Sequence, residues 1–458
     1  MRMNMSAPRP QRWLILSHAF NMDGRASSQT ITDKIPHLRA AGIEVVVLSG
    51  VSGLKDPNFE HHQLWPVGPA GVKFEMRHVL RRKWGKAWIY RFWMTLVSLV
   101  LLPGVFLEKL WRPVESSWSW SVSAYFKGLS LCQQRQFDLI YSTGGAFAAH
   151  VAGRALKRRT GIPWLAEVHD PFVTPGKVPD TAQERMQLAV EQLICTDADV
   201  AIWFTEQALA SAKARQPQLG NRGKVLLPGI DNPFPDQLPL HMPSAKLVLG
   251  HFGSLSKTRH LVRVVEAFEH LSLHAPQILQ DLELHVYGGP LDEISQARIQ
   301  ASVTRSHFHH FGRVEADPVS GISGRQRILA KMRSVDVLLL IHGEEAICDE
   351  YIPSKLYEYL WMQRPILAQV HRNPQMVDML RNLHHRVVET GRDFEGKDRS
   401  GIDIADCIKS YWLEWRQTSL PDSGLKSPYT TQSAVDALRS FVATSSPRVT
   451  SSAGSGQA

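Results

Sequence analysis

The stretch FDLIYSTGGAFAAHVAGRALKRRTGIPWLAEVHD, residues 137–170, decides the fold class. An apolar run leads into a glycine-rich turn, an amphipathic helix follows and ends at Gly161, and IPWLAEVHD forms a second apolar run with a polar end. Strand, turn, helix, glycine and strand in this order are typical of a βαβ unit. The sequence therefore predicts a parallel sheet and an α/β fold.

The same pattern extends in both directions from this stretch. The runs at 12–20 and 43–50 precede it, and those at 198–205 and 224–231 continue it. A proline-rich, non-helical linker at 227–246 follows, and a second series of strands lies at 246–253, 282–289, 307–314, 335–343 and 364–370.

We therefore expect two Rossmann-like parallel-sheet domains, an N-terminal one over 11–235 and a C-terminal one over 245–425. Ligands of such sheets bind beyond the carboxyl ends of the strands, here in an interdomain cleft. A helix over 426–444 could pack back on the N-terminal domain. The Ser/Gly-rich tail, 445–458, is expected to be disordered.

Charge and cysteine content narrow the class of partner. The chain has 458 residues and a formal net charge of +9, and its four cysteines are far apart, which argues against a zinc site and a disulfide scaffold. Six cations without an intervening acid account for most of the excess: Arg77, Arg81, Arg82, Lys83, Lys86 and Arg91. A nucleic-acid binder would spread its cations along a face, whereas this concentration indicates one local anionic partner.

An apolar run, FWMTLVSLVLLPGVFL at 92–107, follows these cations. Its sixteen residues would span about 24 Å as a helix, less than the ~30 Å hydrocarbon core of a membrane. Pro103 and Gly104 are expected to break that helix. Tryptophans and cations flank the run, so segment 77–111 favours a helix on an anionic membrane surface, with a core helix and a transmembrane span as alternatives.

Two helix starts that carry cations are the main candidates for chemistry. In EYIPSKLYE, residues 350–358, Pro353 suits the first helical position, which leaves Glu350 in the preceding loop and places Lys355 in the first turn. A cation there opposes the helix dipole unless an anion is bound. Lys257 and Arg259 occupy the start of a second helix. Together the two starts suit a diphosphate, and solvated surface charge is the alternative.

The chain resembles glycosyltransferase family 4, whose fold is GT-B. The resemblance rests on the Glu-x7-Glu spacing from Glu350 to Glu358, on GHFGSLSKTR, HHFGRV and PSKLYEYL, and on the two-domain layout. The most similar members are bacterial enzymes that build surface polysaccharide or lipopolysaccharide on a lipid carrier. The resemblance implies retaining transfer of a sugar from a nucleotide sugar, with no other cofactor and no metal.

The resemblance also implies site residues. Glu358 would hold the ribose hydroxyls, Glu350 would contact the donor sugar, and Arg259 and Lys355 would stabilise the departing diphosphate. The remaining donor-binding positions would be Gly253, Lys257, Gly312, Arg313, Val314, Ser354 and Leu356, of which Gly312, Arg313 and Val314 would pack the nucleobase. The acceptor would be a lipid-linked or other glycan at the inner face of the cytoplasmic membrane.

The sequence departs from the family pattern at two places in the donor motifs. The family segment reads E-G-F-G-x-x-x-x-E, whereas this chain has EYIPSKLYE. One Lys-Thr-Arg cluster replaces two widely spaced cations, which leaves the choice between Lys257 and Arg259 open.

On the acceptor side, many members carry a histidine after the strand equivalent to FDLIYSTGG, where this chain has Ser142, Thr143 and Gly144. His169 and Asp170, at the end of the next strand, are our substitutes, with a strand-end cap or a buried pair as the alternative. Asp23, Gly24 and Gly144 would form the acceptor-side loops.

Two patterns that mimic metal sites are interpreted as structural. Asp197 and Asp199 form a D-x-D without its usual context. His307, His309 and His310 lie along one strand, whose alternation cannot place all three on one face. A nucleotide-sugar epimerase and a non-enzymatic membrane scaffold remain alternatives to the transferase.

Overall fold

A computed structural model describes residues 10–22, 26–84, 86–242, 244–317, 319–390 and 399–445. The described residues form two compact units. Unit 1 consists of the residues up to Gly229 together with those from Thr431 onward, and unit 2 comprises Ile230–Thr430.

Unit 1 is built on a seven-stranded sheet. Its strands are β1 (Arg12–Leu16), β2 (Glu44–Gly50), β3 (Glu60–Leu64), β4 (Leu139–Gly144), β5 (Trp164–Val168), β6 (Val200–Trp203) and β7 (Gly223–Val225). All neighbours pair in parallel, in the order β3-β2-β1-β4-β5-β6-β7. The helices are α1 (Ala26–Ala40), α2 (Pro69–Lys83), α3 (Ala87–Trp111), α4 (Trp120–Gln134), α5 (Phe147–Thr160), α6 (Ala182–Asp197) and α7 (Glu206–Arg215).

The core of unit 1 fills both faces of the sheet, as a parallel sheet requires. In β1, Leu14 packs toward one core cluster and Ile15 toward the other. The C-terminal helix of the chain, Thr431–Ser445, belongs to this unit, where Val435 and Leu438 are buried in the same cluster as Ile31. Residues 446–458, predicted to be a disordered tail, lie outside the described residues.

Unit 2 is a second α/β layer structure. Its strands are β8 (Leu247–Phe252), β9 (Leu282–Tyr287), β10 (Phe308–Gly312), β11 (Val337–Ile341), β12 (Ile366–His371) and β13 (Arg386–Thr390). They pair in parallel in the order β10-β9-β8-β11-β12-β13. Its helices are α8 (Val262–His274), α9 (Pro276–Gln280), α10 (Glu293–Ala301), α11 (Gly324–Ser334), α12 (Ser354–Trp361), α13 (Pro374–Asn382) and α14 (Ser400–Thr418). The helix Thr431–Ser445 is therefore α15.

The prediction of two Rossmann-like parallel-sheet domains is confirmed. The strand that the sequence analysis missed in unit 1 is β3, whose sequence EHHQL has one buried residue and no apolar run. As an edge strand it gains its hydrogen bonds from β2 alone, so backbone pairing and not hydrophobic patterning defines it.

One prediction about segment 77–111 is wrong. Helix α3 continues through Pro103 and Gly104 and reaches 25 residues, about 37 Å at the usual helical rise. A Cβ atom at Gly104 would lie only 3.1 Å from Pro69 in α2, so glycine permits the close contact between the two helices at this point. The core-helix alternative is also wrong, since none of the most apolar stretch of α3 is buried.

Candidate active site

Three glycines form the carboxyl edge of β8, β9 and β10 in unit 2. The Gly253 N–H donates to Tyr287 O over 2.9 Å, and the Gly288 N–H donates to Gly312 O over 3.0 Å. A Cβ atom at Gly288 would lie 2.0 Å from Gly253 O, so only glycine fits there. The result is an edge without side chains, in which the N–H of Gly253 is already engaged within the sheet.

Arg259 lies in a tight turn just before α8. Ser256 and Arg259 exchange two backbone hydrogen bonds of 2.8 and 3.0 Å, and α8 begins only at Val262. The cations therefore precede the helix and do not occupy its first turn. Lys257 is exposed, whereas the half-buried Arg259 donates through Nη2 to the Tyr351 hydroxyl. The structure thus brings Arg259, and not Lys257, to the loop that carries Glu350.

The loop around Glu350 is held from two sides. Glu350 ends a 3₁₀ turn and is only 1% exposed. The Asn373 side chain donates to Tyr351 O over 3.0 Å, and His342 Nε2 lies 3.2 Å from the same oxygen. Burial lowers the pKa of His342 to about 4, so this ring is neutral at pH 7. His342 and Asn373 therefore position the loop. His342 could have been found from the sequence, because it is a polar residue at the end of the apolar run 335–343.

Helix α12 starts at Ser354, directly after this loop. Lys355, its second residue, forms an ion pair with Glu358 one turn later, and Arg325 Nε lies 3.9 Å from the other Glu358 oxygen. The Glu358 carboxylate is therefore surrounded by two cations at the surface of unit 2. Ser354 is exposed and Lys355 is half-buried.

Leu356 does not fit its predicted donor-binding role. Its side chain is fully buried, and its N–H donates to Pro353 O over 2.9 Å within the first turn of the helix. The apolar periodicity of α12 directs this residue into the core, which leaves Ser354 and Lys355 as the outward residues of the helix start.

Arg313 and Val314 line a cavity of about 640 Å³ in unit 2. Its wall contains two stacked rings, those of Tyr287 and Phe311, whose centroids are 4.8 Å apart. Gly312 leads the chain from β10 into this wall with a φ of +70°, a left-handed conformation that favours glycine. An aromatic wall with a nearby guanidinium is chemically suited to a planar, partly polar ligand.

In unit 1, His169 follows β5 and belongs to a buried polar network. Its Nε2 atom lies 2.9 Å from Thr143 Oγ1 and 2.9 Å from Glu167 Oε1, and its ring stacks on Phe204. Glu167 also pairs with Lys34, and it accepts hydrogen bonds from Thr143 and from Tyr141.

The charges of this network assign the proton of His169. Burial raises the pKa of Glu167, but Lys34 and His169 outweigh that effect and hold it well below its usual range. Glu167 is therefore a carboxylate, which only accepts hydrogen bonds. Nε2 of His169 must donate, and Nδ1, which is buried without a hydrogen-bond partner among the described residues, is the acceptor atom when the ring is neutral.

The other predicted acceptor-side residues differ in their surroundings. Asp170 is exposed, so it shares neither the burial nor the partners of His169. Gly144 ends β4 with a φ of +111°, and His150 Nε2 lies 3.3 Å from its carbonyl oxygen. The first N–H of α5, that of Phe147, donates to Glu115. Asp23 and Gly24 lie outside the described residues.

Comparison with known proteins adds the family. Residues 27–222 match the model of a glycosyl transferase 4-like domain. Unit 1 carries a glycosyltransferase domain. A comparison with curated protein sequences finds no match.

Solved structures with the same fold cover nearly the whole chain. WaaG, a glycosyltransferase involved in lipopolysaccharide biosynthesis, is 15% identical with a TM-score of 0.53, over 93% of this chain and 99% of its own. A trehalose-phosphate synthase from Burkholderia vietnamiensis is 11% identical with a TM-score of 0.55, over 96% of each chain. TarM from S. aureus, solved with UDP, is 9% identical with a TM-score of 0.54, over 94% of this chain and 99% of its own. The chain therefore has the GT-B fold, as its motifs predicted, and its residues 27–222 match a glycosyl transferase 4-like domain.

Several buried charged residues of unit 1 were missed by sequence analysis. Glu167 stands inside an apolar strand, WLAEV, and Lys34 lies in a helix of mixed character. A second buried pair, His18 with Glu75 at 2.9 Å, follows β1. A charged residue inside an apolar strand is the signal that could have found Glu167, because a buried charge requires a partner.

Asp197 and Asp199 of the D-x-D pattern are engaged with basic side chains. Asp197 pairs with Arg154 and Arg158, and Asp199 Oδ2 lies 2.8 Å from Lys157 Nζ and accepts from Trp164 N. These contacts join α5 to the segment before β6. Their occupation by cations fits the structural interpretation.

Proposed function

We propose that this glycosyltransferase transfers a sugar, with retention at the anomeric carbon, from a nucleotide-sugar donor to a lipid-linked or other glycan acceptor in the synthesis of bacterial surface polysaccharide. The observation that carries the proposal is the contact of Arg259 with the Glu350–Tyr351 loop, immediately before the helix that bears Lys355 and Glu358. The donor would bind to unit 2, and the reaction would need no divalent metal.

The charges of this cluster suit the departure of a nucleoside diphosphate. When the bond between the anomeric carbon and the diphosphate oxygen breaks, negative charge develops on the leaving group. Arg259 has a buried Nε without a hydrogen-bond partner among the described residues, and Lys355 stands at a helix start that an anion would stabilise. Preorganised cations at the developing charge lower the barrier.

Glu358 and the aromatic cavity would hold the nucleoside. The Glu358 carboxylate can accept two hydroxyl hydrogen bonds from a ribose, and Lys355 and Arg325 hold it in position. Arg313, Val314 and the Tyr287–Phe311 pair would pack the base. The UDP complex of TarM, a structure of the same fold, supports a nucleotide as the ligand class.

On unit 1, His169 would serve the acceptor side. Its Nδ1 lone pair can accept a hydrogen bond from a sugar hydroxyl, while Glu167 fixes the ring and its tautomer. This role makes Glu167 a positioning residue.

Helix α3 supports an acceptor carried by a membrane. By length and composition it could cross a bilayer, and the large apolar side chains on its outer side are exposed, with Trp88 70%, Phe92 62% and Leu110 73% accessible. Arg81, Lys83 and other cations stand at the end where α2 leads into α3. Apolar and cationic side chains together fit an anionic lipid surface.

The attachment of α2 supports the proposal that α3 lies flat on the membrane. Arg82, at one end of α2, donates to the Val51 and Gly53 carbonyls of the sheet domain. At the other end, Glu108 of α3 accepts from the Ala70 N–H and thereby caps α2. A spanning α3 would draw the cations of α2 into hydrocarbon at roughly 2.5–3.5 kcal/mol each.

We therefore assign the hairpin formed by α2 and α3 to the cytoplasmic face of an anionic membrane, with the aromatic side chains at headgroup depth. WaaG and WaaB, structures of the same fold, are described as proteins of lipopolysaccharide synthesis, which supports a lipid-linked acceptor.

The test is a screen of nucleotide sugars with the pure protein and a lipid extract as acceptor source. We expect one donor class to be consumed, the sugar to appear in the lipid fraction, and NMR of the product to show the anomeric configuration of the donor. Glu358→Gln should lose donor binding, and Glu293→Gln, at an exposed position of α10, is the matched control. If the nucleotide sugar is isomerised without transfer to an acceptor, the protein is an epimerase. If the wild type and the Glu293→Gln control both fail to bind nucleotides, the protein is a non-enzymatic scaffold.

A further inference from the structure

Three potential metal ligands meet on the face of the unit 2 sheet that lies away from its main core. Leu282, Leu284 and Val286 of β9 point into the core, so the alternating residues Glu283 and His285 project from the other face. His309 of the edge strand β10 stands directly opposite His285 in the register. The sheet itself therefore brings these three side chains together.

The distances fit a single ion. His285 Nε2 lies 3.0 Å and His309 Nε2 lies 3.7 Å from the same oxygen, Glu283 Oε2, and all the ligand atoms lie within 4.8 Å of one another. Tetrahedral zinc with bonds of about 2.0–2.1 Å separates its ligands by roughly 3.3 Å. His309 Nε2 is buried and has no hydrogen-bond partner among the described residues, so this nitrogen faces the cluster without another polar contact.

A lysine holds the carboxylate of the cluster in place. Lys246 Nζ binds Glu283 Oε1 at 2.8 Å and leaves Oε2 facing the histidines.

We propose that Glu283, His285 and His309 form a zinc site with two imidazole ligands, one carboxylate and water at the fourth position. Lys246 would be its outer-shell partner, because it orients the carboxylate. The ion would join the edge strand β10 to β9 through side chains.

The site adjoins the aromatic cavity of unit 2. The His285 ring lies 5.0 Å from the Phe311 ring, which in turn stacks on Tyr287. An ion at the cluster would therefore fix the wall of the cavity from behind. It takes no part in the transfer step proposed above, so the two proposals can fail independently.

The three histidines weighed in the sequence analysis have different surroundings in the structure. His307, His309 and His310 cannot share a site, since His307 Nδ1 lies 2.9 Å from Leu282 O and His310 Nε2 lies 2.9 Å from Gly289 O. The partners of His309 come instead from β9, 24 and 26 residues earlier in the chain, and only the strand register reveals them.

The test is titration of Zn²⁺ into untagged, chelator-stripped protein by calorimetry, with Co²⁺ absorption to report the coordination. We expect one ion per wild-type chain and a higher melting temperature with zinc. His309→Ala and His285→Ala should weaken binding by more than the roughly 10- to 100-fold that loss of an outer-shell partner costs.

His310→Ala is the matched control, on the same strand but outside the cluster, and should bind zinc as the wild type does. Circular dichroism of each stripped variant shows whether it is folded. Absence of stoichiometric binding to the wild type, or equal affinity in His309→Ala and His310→Ala, would overturn the proposal. Nucleotide binding by the stripped wild type, measured in parallel, reports on the transferase separately.

Discussion

Reversal of three cations between the last turn of α2 and the start of α3 should detach the protein from anionic membranes. The variant combines Arg81→Glu, Lys83→Glu and Lys86→Glu, all at exposed positions. Arg82 is left unchanged, because its guanidinium holds α2 to the sheet domain and its loss would disturb the fold.

The size of the effect follows from the charges. Each Lys or Arg close to an anionic surface contributes about 1 kcal/mol, so three reversals remove about 3 kcal/mol of attraction and add repulsion of the same order. A loss of about 3 kcal/mol alone lowers the partition coefficient roughly 100-fold. The apolar side chains of α3 are not screened by salt, so wild-type binding should weaken with ionic strength without vanishing.

The assay is co-sedimentation with liposomes that contain anionic lipid, at low and at high salt. The control variant carries Arg159→Glu, Lys409→Glu and Lys426→Glu, at exposed positions away from α2 and α3. Like the variant at α3, it has a net charge of +3 where the wild type has +9. We expect the control to sediment almost as the wild type does. If the variant at α3 and the control sediment equally, with both folded, the hairpin is not the membrane-binding surface and the argument for a lipid-linked acceptor loses its main support.

Further predictions concern the donor site, metals and pH. Arg259→Ala should weaken nucleoside-diphosphate affinity by roughly 1.5–3 kcal/mol in calorimetry while Lys257→Ala, at the exposed tip of the same turn, changes it little, and equal effects would contradict the assignment. Transfer should persist in excess chelator, and a loss restored specifically by magnesium or manganese would refute metal-independent catalysis. Burial lowers the pKa of His150 and of His251 to about 4, so the unfolded chain binds more protons between that pH and about 6.5. Stability should therefore fall as the pH decreases through this window, by on the order of 1–2 kcal/mol per histidine at pH 5, and a melting temperature that is constant from pH 7.5 to 5 would contradict it.

The fold was predictable because each central strand is an apolar run bounded by glycine or polar residues. Strands that are buried on both faces, such as β2 with VVVLSG, appear in the sequence as the apolar runs that predict them. The edge strand β3 could not be found, since nothing in EHHQL distinguishes it from a loop. The continuity of α3 through Pro103 could not be predicted, because proline disfavours the interior of a helix.

The candidate sites were predictable only where one segment carries them. Glu350, Lys355 and Glu358 lie within nine residues, and their arrangement around a helix start could be predicted from their spacing. Glu167 and Lys34 are separated by 133 residues, and their pairing depends on the way α1 packs on the sheet. His342 and Asn373, which hold the Glu350 loop, likewise come from the ends of different elements.

The two departures from the family pattern prove to be one feature. EYIPSKLYE has tyrosine where the family segment has its first glycine, and the single Lys-Thr-Arg cluster offers only one cation near this loop. The Tyr351 hydroxyl accepts from Arg259, and burial raises the pKa of Tyr351, so it remains a neutral phenol beside the guanidinium. A neutral partner holds the cation in place without cancelling its charge, which remains available to an anion. The two departures from the family pattern therefore meet in one contact, between Arg259 and Tyr351, which their separation in the sequence conceals.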